Sequence, residues 1–193
     1  NLFSTLYAFV ETIEARDPYT KQHSARVTDY AVKIAEIAGC AQEEIETLNI
    51  SGNLHDIGKI GIPDNILLKP GRLTDHEFEI IKRHPSIGGN ILGHFEMWSR
   101  EQEVVKYHHE RWDGKGYPDG LKGEEIPFLS RIISVADVYD ALTSDRSYRK
   151  KLPEQTAAGM IRENSGLQFD PKIVEAFLEI YEQGIFKTDR PCS

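Results

Sequence analysis

The stretch Asn53-Leu54-His55-Asp56-Ile57-Gly58-Lys59-Ile60 sets an imidazole and a carboxylate side by side, with a lysine three residues on. Leu54, Ile57 and Ile60 flank these groups, so the charges lie against an apolar core. Burying a bare carboxylate costs several kcal/mol. A metal ion is the usual compensation, and His and Asp are suitable hard-to-borderline ligands for one. An isolated His-Asp pair is more often a surface or capping pair. What lifts this one is the supply of partners elsewhere in the chain, namely His23, His84, His108, His109 and Asp137.

Outward from this stretch almost everything reads as helix. Leu2, Leu6, Phe9, Val10 and Ile13 recur at helical spacing. Asp17-Pro18 reads as the start of a second helix, with Asp as cap and Pro in the first turn. Val27, Tyr30, Ala31, Ile34 and Ile37 continue it to Gly39, and His23 falls on or beside its buried face. A third helix runs from about Gln42 to His55. After a loop from Gly61 to Gly71, Thr74 caps a helix with Glu77 in the capping-box position. Pro85 breaks or restarts that helix. Val104, Val105 and His108 share a helix ending near Glu110. Phe128 to Leu142, Pro153 to Asn164 and Pro171 to Tyr181 complete the set. No alternating strand pattern persists, which predicts an all-α fold.

The long irregular segment is Trp112 to Gly123, whose four glycines and one proline forbid a regular helix. It follows two adjacent histidines, and loops so placed often carry function.

Length and composition bound the rest. The 193 residues fit one domain, and 39% hydrophobic with 28% charged residues suits a globular core. No apolar run approaches the roughly 20 residues of a membrane span, and nothing at the start reads as a signal peptide. The chain opens on Asn1, as a piece of a longer protein would. The net charge of -8 disfavours nucleic-acid polymers and anionic lipid. An anionic substrate therefore needs local positive charge, from metals or clustered Arg and Lys. Cys40 and Cys192 lack metal-ligand spacing and read as free thiols in a reducing cytoplasm.

Three of the seven histidines stand directly beside another potential ligand, in His55-Asp56 and His108-His109. Adjacent residues on a helix point about 100° apart. Near a helix end such pairs can serve two ions, which favours a multinuclear site over a single zinc. Two close metals are a standard device for attacking a phosphate ester.

His55-Asp56, Asp137, the run His108-His109-Glu110-Arg111-Trp112-Asp113-Gly114-Lys115-Gly116-Tyr117-Pro118 and their order resemble the HD-GYP subgroup of the HD phosphohydrolases, from about Phe3 to Ile180. The resemblance implies a single helical HD-type domain over residues 1–187, with a tail at 188–193. It implies a cytoplasmic, metal-dependent phosphodiesterase that opens cyclic di-GMP to the linear dinucleotide and onward to GMP. Position by position, His23, His55, Asp56 and Asp137 match the superfamily's ligand set. His84, His108 and His109 match the set holding a second ion, with Asp56 bridging. Iron or manganese are the implied metals. Lys59 matches a lysine that contacts the substrate phosphate or leaving oxygen. Arg146 and Arg149 resemble phosphate-binding positions, which suits their planar fork. Asp140, one turn beyond Asp137, matches a partner that orients a histidine or a metal-bound water.

Members with three metals carry a glutamate one turn before the first histidine. Tyr19 stands there instead, a neutral phenol at pH 7. Two ions are therefore expected, with Tyr19 lining the pocket and meeting the substrate. The loop residues Asp113, Gly114, Gly116, Tyr117 and Pro118 either shape the loop or contact partner domains such as diguanylate cyclases. A regulatory domain in the same or another chain is the other implied partner. His76 and His94 match no ligand position. Arg146, Arg149, Lys150 and Lys151 also read as a solvated helix end, and Asp137 with Asp140 as a solvated face, although Ile133, Val135 and Ala136 argue for burial. Competing readings are a 3',3'-cyclic GMP-AMP phosphodiesterase, a nucleotide monoesterase, and a non-catalytic receptor for the dinucleotide or a partner. The intact His-Asp pair and Gly-Tyr-Pro loop count against the last.

Overall fold

Leu6, Val10 and Ile13 recur at three- and four-residue intervals, and the chain accordingly opens with an amphipathic helix, α1 (Leu2–Arg16). The computed structural model describes residues 2–184 and 186; the tail expected at 188–193, with Cys192, lies outside the described residues. Nine more helices follow: α2 (His23–Ile37), α3 (Gln42–Leu54), α4 (Asp64–Leu67), α5 (Asp75–Ile81), α6 (His84–Leu92), α7 (Ser99–Tyr107), α8 (Phe128–Thr143), α9 (Glu154–Glu163) and α10 (Pro171–Glu182). A 3₁₀ turn, Ile57–Gly61, directly follows the His-Asp pair. Among the described residues there is no strand, only the isolated pairings of Arg146 with Arg149 and Ser165 with Phe169. The all-α expectation holds.

Two apolar clusters divide the interior. The larger gathers Val27, Ile34, Leu48, Val104, Ile132, Ile133, Tyr139, Ile173 and Phe177 from α2, α3, α7, α8 and α10. The smaller gathers Leu6, Val10, Leu54, Ile57, Leu92, Trp98 and Val105. Helices α3 and α7 contribute to both, through Leu48 and Leu54 and through Val104 and Val105. Their C-terminal ends are therefore fixed from two sides, and those ends carry His55 and His108. Fully burying one such Leu or Ile stabilises the fold by roughly 1.5–3 kcal/mol, so these ends are firmly held.

Most helix boundaries follow their local signals. The Thr74 hydroxyl accepts the Glu77 N–H at 3.2 Å while the Glu77 carboxylate accepts the Thr74 N–H at 2.8 Å, closing the capping box of α5. Pro85 sits in the first turn of α6, whose first residue is His84. Two boundaries differ from expectation: α7 ends at Tyr107, short of Glu110, which leaves His108 just past the helix, and the start of α2 lies later. Helix α2 starts at His23, not at Asp17. The Asp17 carbonyl accepts the Thr20 N–H at 3.1 Å, its carboxylate accepts the Tyr19 N–H at 3.0 Å, and Gln22 adopts φ 60. Asp followed by Pro is as good a turn opener as a helix cap, and the left-handed Gln22 blocks any helix running through it. The loop after Gly61 also holds one helical turn, α4.

Candidate metal centre and cleft

Every histidine of the site stands at a helix end. His23 begins α2, His84 begins α6, and His55 and His108 directly follow α3 and α7. Only Asp137 projects from a helix interior, that of α8. At an end the backbone is free to turn, so the neighbours His55 and Asp56 converge on one region.

Three of these imidazoles are aimed by the same device. The Nδ1 atoms of His55, His84 and His108 lie 2.7, 2.7 and 2.6 Å from the carbonyls of Gly52, Ile81 and Val105, each three residues back. A carbonyl only accepts, so each Nδ1 carries the proton and each Nε2 is left as a bare lone pair. All three Nε2 atoms are buried and lack a hydrogen-bond partner among the described residues. An orphaned buried acceptor costs about 1–3 kcal/mol. Three converging in one place is the arrangement a cation relieves, and it is the tautomer of a metal-ligating histidine.

His23 is held from the other side. Its Nδ1 lies 2.7 Å from Asp140 Oδ2, and the Arg26 guanidinium grips Asp140 through Nε at 2.6 Å and Nη2 at 3.1 Å. His23 Nε2 faces Asp137 Oδ1 at 3.1 Å. Asp56 stands between two groups of imidazoles. Its Oδ1 lies 3.3 Å from His84 Nε2, while its Oδ2 lies 3.5 Å from His55 Nε2 and 3.6 Å from His23 Nε2. The Lys59 ammonium donates to the same Oδ2 at 2.7 Å. His23, His55 and Asp137 form one set whose ligand atoms lie within 4.8 Å of one another; His84, His108 and His109 form a second, and His55, Asp56 and His108 a third. The donor set, imidazoles with carboxylates, suits a divalent transition metal.

The electrostatics follow the geometry. Burial works against charge on His23, but its hydrogen bonds to Asp137 and Asp140 and the field of Asp56 outweigh it and raise its pKa to about 9. Burial and the neighbouring imidazoles hold His108 well below the usual range and His109 at about 3. Burial would raise Asp56, but the Lys59 ammonium against it keeps it ionised. Asp137 is kept ionised by His23 against the same penalty.

These groups open on a cleft of about 320 Å³, within the range of small-molecule sites. His23, Asp56, Lys59, His84, His109 and Asp137 line it, together with Tyr19, Lys69, Tyr117 and Arg146 among others. With His23 protonated, the lining holds four cations, His23, Lys59, Lys69 and Arg146, against four carboxylates, Glu14, Asp17, Asp56 and Asp137. These charges cancel, so the lining alone has no net pull on an anion, and divalent ions bound among the imidazoles would make it positive.

The remaining sequence candidates divide. Arg146 reaches the cleft, but Arg149 is not among its lining residues. The Arg149 guanidinium donates to the carbonyls of Ala141 at 2.6 Å, Leu142 at 3.3 Å and Lys150 at 2.9 Å, closing the end of α8. In the irregular loop only Tyr117 lines the cleft, with its ring stacked on His109 at 5.1 Å. Asp113 accepts from Arg111 Nη2 at 2.7 Å and from the Lys115 N–H at 3.1 Å, so it braces the loop. Gly114 holds φ 79, and a Cβ at Gly116 would come within 2.6 Å of the His109 carbonyl oxygen. Pro118 follows Tyr117 through a cis peptide bond.

Sequence reasoning missed three residues. Glu110, 2% exposed, accepts the N–H groups of Asp119, Gly120 and Leu121 at 2.7, 3.1 and 3.0 Å and thereby folds the loop back on α7. Arg26 was visible only as a residue one turn after His23. Glu14 carried no signal beyond its place in the last turn of α1.

The HD domain family matches residues 8–173. The chain belongs to the HD domain family. It is 44% identical over 185 residues to a cyclic di-GMP phosphodiesterase of Vibrio cholerae serotype O1, covering 88% of this chain and 38% of that protein. It is 37% identical over 182 residues to a 3'3'-cGAMP-specific phosphodiesterase 2 of the same organism, covering 93% of this chain and 35% of that one. The chain thus spans well under half the length of these relatives. Its fold superposes on the cyclic GMP-AMP specific phosphodiesterase V-cGAP3 of V. cholerae with a TM-score of 0.72 at 20% identity, over 95% of this chain and 51% of that one. No described helix is long and apolar enough to cross a membrane.

Proposed function

We infer that this HD domain hydrolyses a cyclic dinucleotide, cyclic di-GMP in the first place, to the linear dinucleotide. The observation that carries the reading is the convergence of the buried Nε2 atoms of His55, His84 and His108 around Asp56, which with His84 lines the cleft. The 44% identity to a cyclic di-GMP phosphodiesterase supports the substrate class. Two divalent ions, iron or manganese, held by His23, His55 and Asp137 on one side and His84, His108 and His109 on the other with Asp56 between, would supply an activated water and offset phosphate charge.

The chain's own residues do the rest. Asp140 and Arg26 orient His23, and the three carbonyl partners orient His55, His84 and His108. Lys59 sits against Asp56 with its ammonium at the cleft, where it steadies charge growing on the phosphate or leaving oxygen. Arg146 offers a fork to a phosphate at the rim. Tyr19 and Tyr117 offer aromatic faces to a base.

A second reading keeps the site and changes the substrate to 3',3'-cyclic GMP-AMP, on the 37% identity to a phosphodiesterase specific for it. Purified protein loaded with manganese and incubated with each dinucleotide, with products followed by chromatography, tests both. Faster turnover of cyclic di-GMP supports the first; preferential loss of cyclic GMP-AMP replaces it with the second. No turnover of either, at full metal occupancy, rejects both.

A further inference from the structure

Glu14 is a buried carboxylate that the catalytic reading leaves without a task. It lies in the last turn of α1, is 8% exposed, and lines the cleft. Its Oε1 accepts the backbone N–H of Ser24 at 2.8 Å. Ser24 is the second residue of α2, directly after the ligand His23.

The start of α2 needs such an acceptor. Opening N–H groups of a helix have no intrahelical partner and are normally met by the cap side chain. Here the cap residue Gln22 is left-handed and its side chain makes no capping bond. Glu14 fills that role from another helix. A carboxylate at a helix N-terminus is also favoured by the helix dipole, and the bond is charge-assisted. The same residue holds the connecting turn, since its carbonyl accepts the Asp17 N–H at 3.1 Å and the Thr20 hydroxyl at 3.2 Å.

His23 is thus clamped at two points. Asp140 fixes its ring through Nδ1, and Glu14 fixes the backbone of the residue beside it. The geometry points to Glu14 as a positioning residue for His23, acting as a hydrogen-bond acceptor that sets the start of α2 and so the aim of His23 Nε2. This rests on the metal-centre reading above.

The test is cobalt(II) titration of metal-free protein, read by visible absorption and by thermal stability rather than by turnover. The parent is expected to bind two ions. Glu14→Ala is expected to weaken one of them roughly 10–100-fold, the span usual for residues that orient ligands, and to leave the other near its parental affinity. Glu14→Gln keeps an acceptor oxygen and is expected to restore most of the loss. Were Glu14 instead a ligand or a needed charge, Gln would be as damaging as Ala, and that result overturns the assignment. Parental affinity for both ions in Glu14→Ala overturns it, as does equal weakening of both ions with a fall in Tm, the mark of a general packing role. A parent that binds no cobalt overturns the metal centre itself, and this inference with it.

Discussion

Asp56 offers one oxygen to His84 and the other to His55 and His23, so its loss affects both groups of imidazoles. Asp56→Ala is expected to abolish turnover and to lower bound metal; elemental analysis finding full occupancy in the variant would remove Asp56 from the bridging role. Lys59 contacts Asp56 without being a metal ligand. Lys59→Ala should therefore keep its metals and lose roughly 10²–10³ in rate, the usual effect of removing one transition-state contact. Activity within a few-fold of the parent would contradict that. His23 gives a pH signature. Its pKa in the metal-free fold is raised to about 9, so at lower pH a metal must displace a proton from it. Apparent affinity for an ion at His23 should fall about tenfold per unit as pH drops from 8.5 to 7. His109, at about 3, adds no dependence in that interval. Metal titrations at fixed ionic strength that give one affinity across this range would contradict the assignment.

At the scale of elements, the site depends on how closely the 3₁₀ turn after Asp56 lies on α6. A Cβ at Gly58 would overlap the His84 carbonyl and come within 2.6 Å of the Gly88 nitrogen. Gly58→Ala is expected to destabilise the fold by about 1–3 kcal/mol, as overpacking does, and to weaken metal binding at His84. A denaturation midpoint equal to the parent's would show that the two elements are not so tightly apposed. The helices themselves were legible because their signals are local: the capping box at Thr74, Pro85 in the first turn of α6, and the apolar stripe of α8. The start of α2 was misread because Asp17-Pro18 opens a turn as readily as a helix, and the deciding feature, Gln22 at φ 60, has no signature in a glutamine. The candidate ligands were legible as residue types. What brings them together was not. The bond from Glu14 to Ser24 crosses between helices, and that from Arg26 to Asp140 joins residues 114 positions apart. Arg149 looked like a phosphate ligand because any Arg near a site does, while its actual partners, the last carbonyls of α8, are invisible until the chain is folded.

For the whole molecule, the proposed function asks an acidic chain of net charge -8 to draw an anionic substrate into a cleft whose own charges only balance. Bound metal ions would reconcile the two, and their number is the next point to measure. Tyr19, which lines the cleft, takes the sequence position at which the resemblance puts the glutamate of three-metal members, so saturation is expected to give two ions per chain and Tyr19→Glu to raise that number. Three ions in the parent would overturn this. The most direct test of the account joins metal and substrate in one measurement: manganese-loaded protein, its occupancy fixed by elemental analysis, is incubated with cyclic di-GMP and the products are separated by chromatography. The account predicts two manganese ions per chain and conversion to the linear dinucleotide, lost on chelation and restored by manganese. Full occupancy with cyclic di-GMP left intact would contradict it.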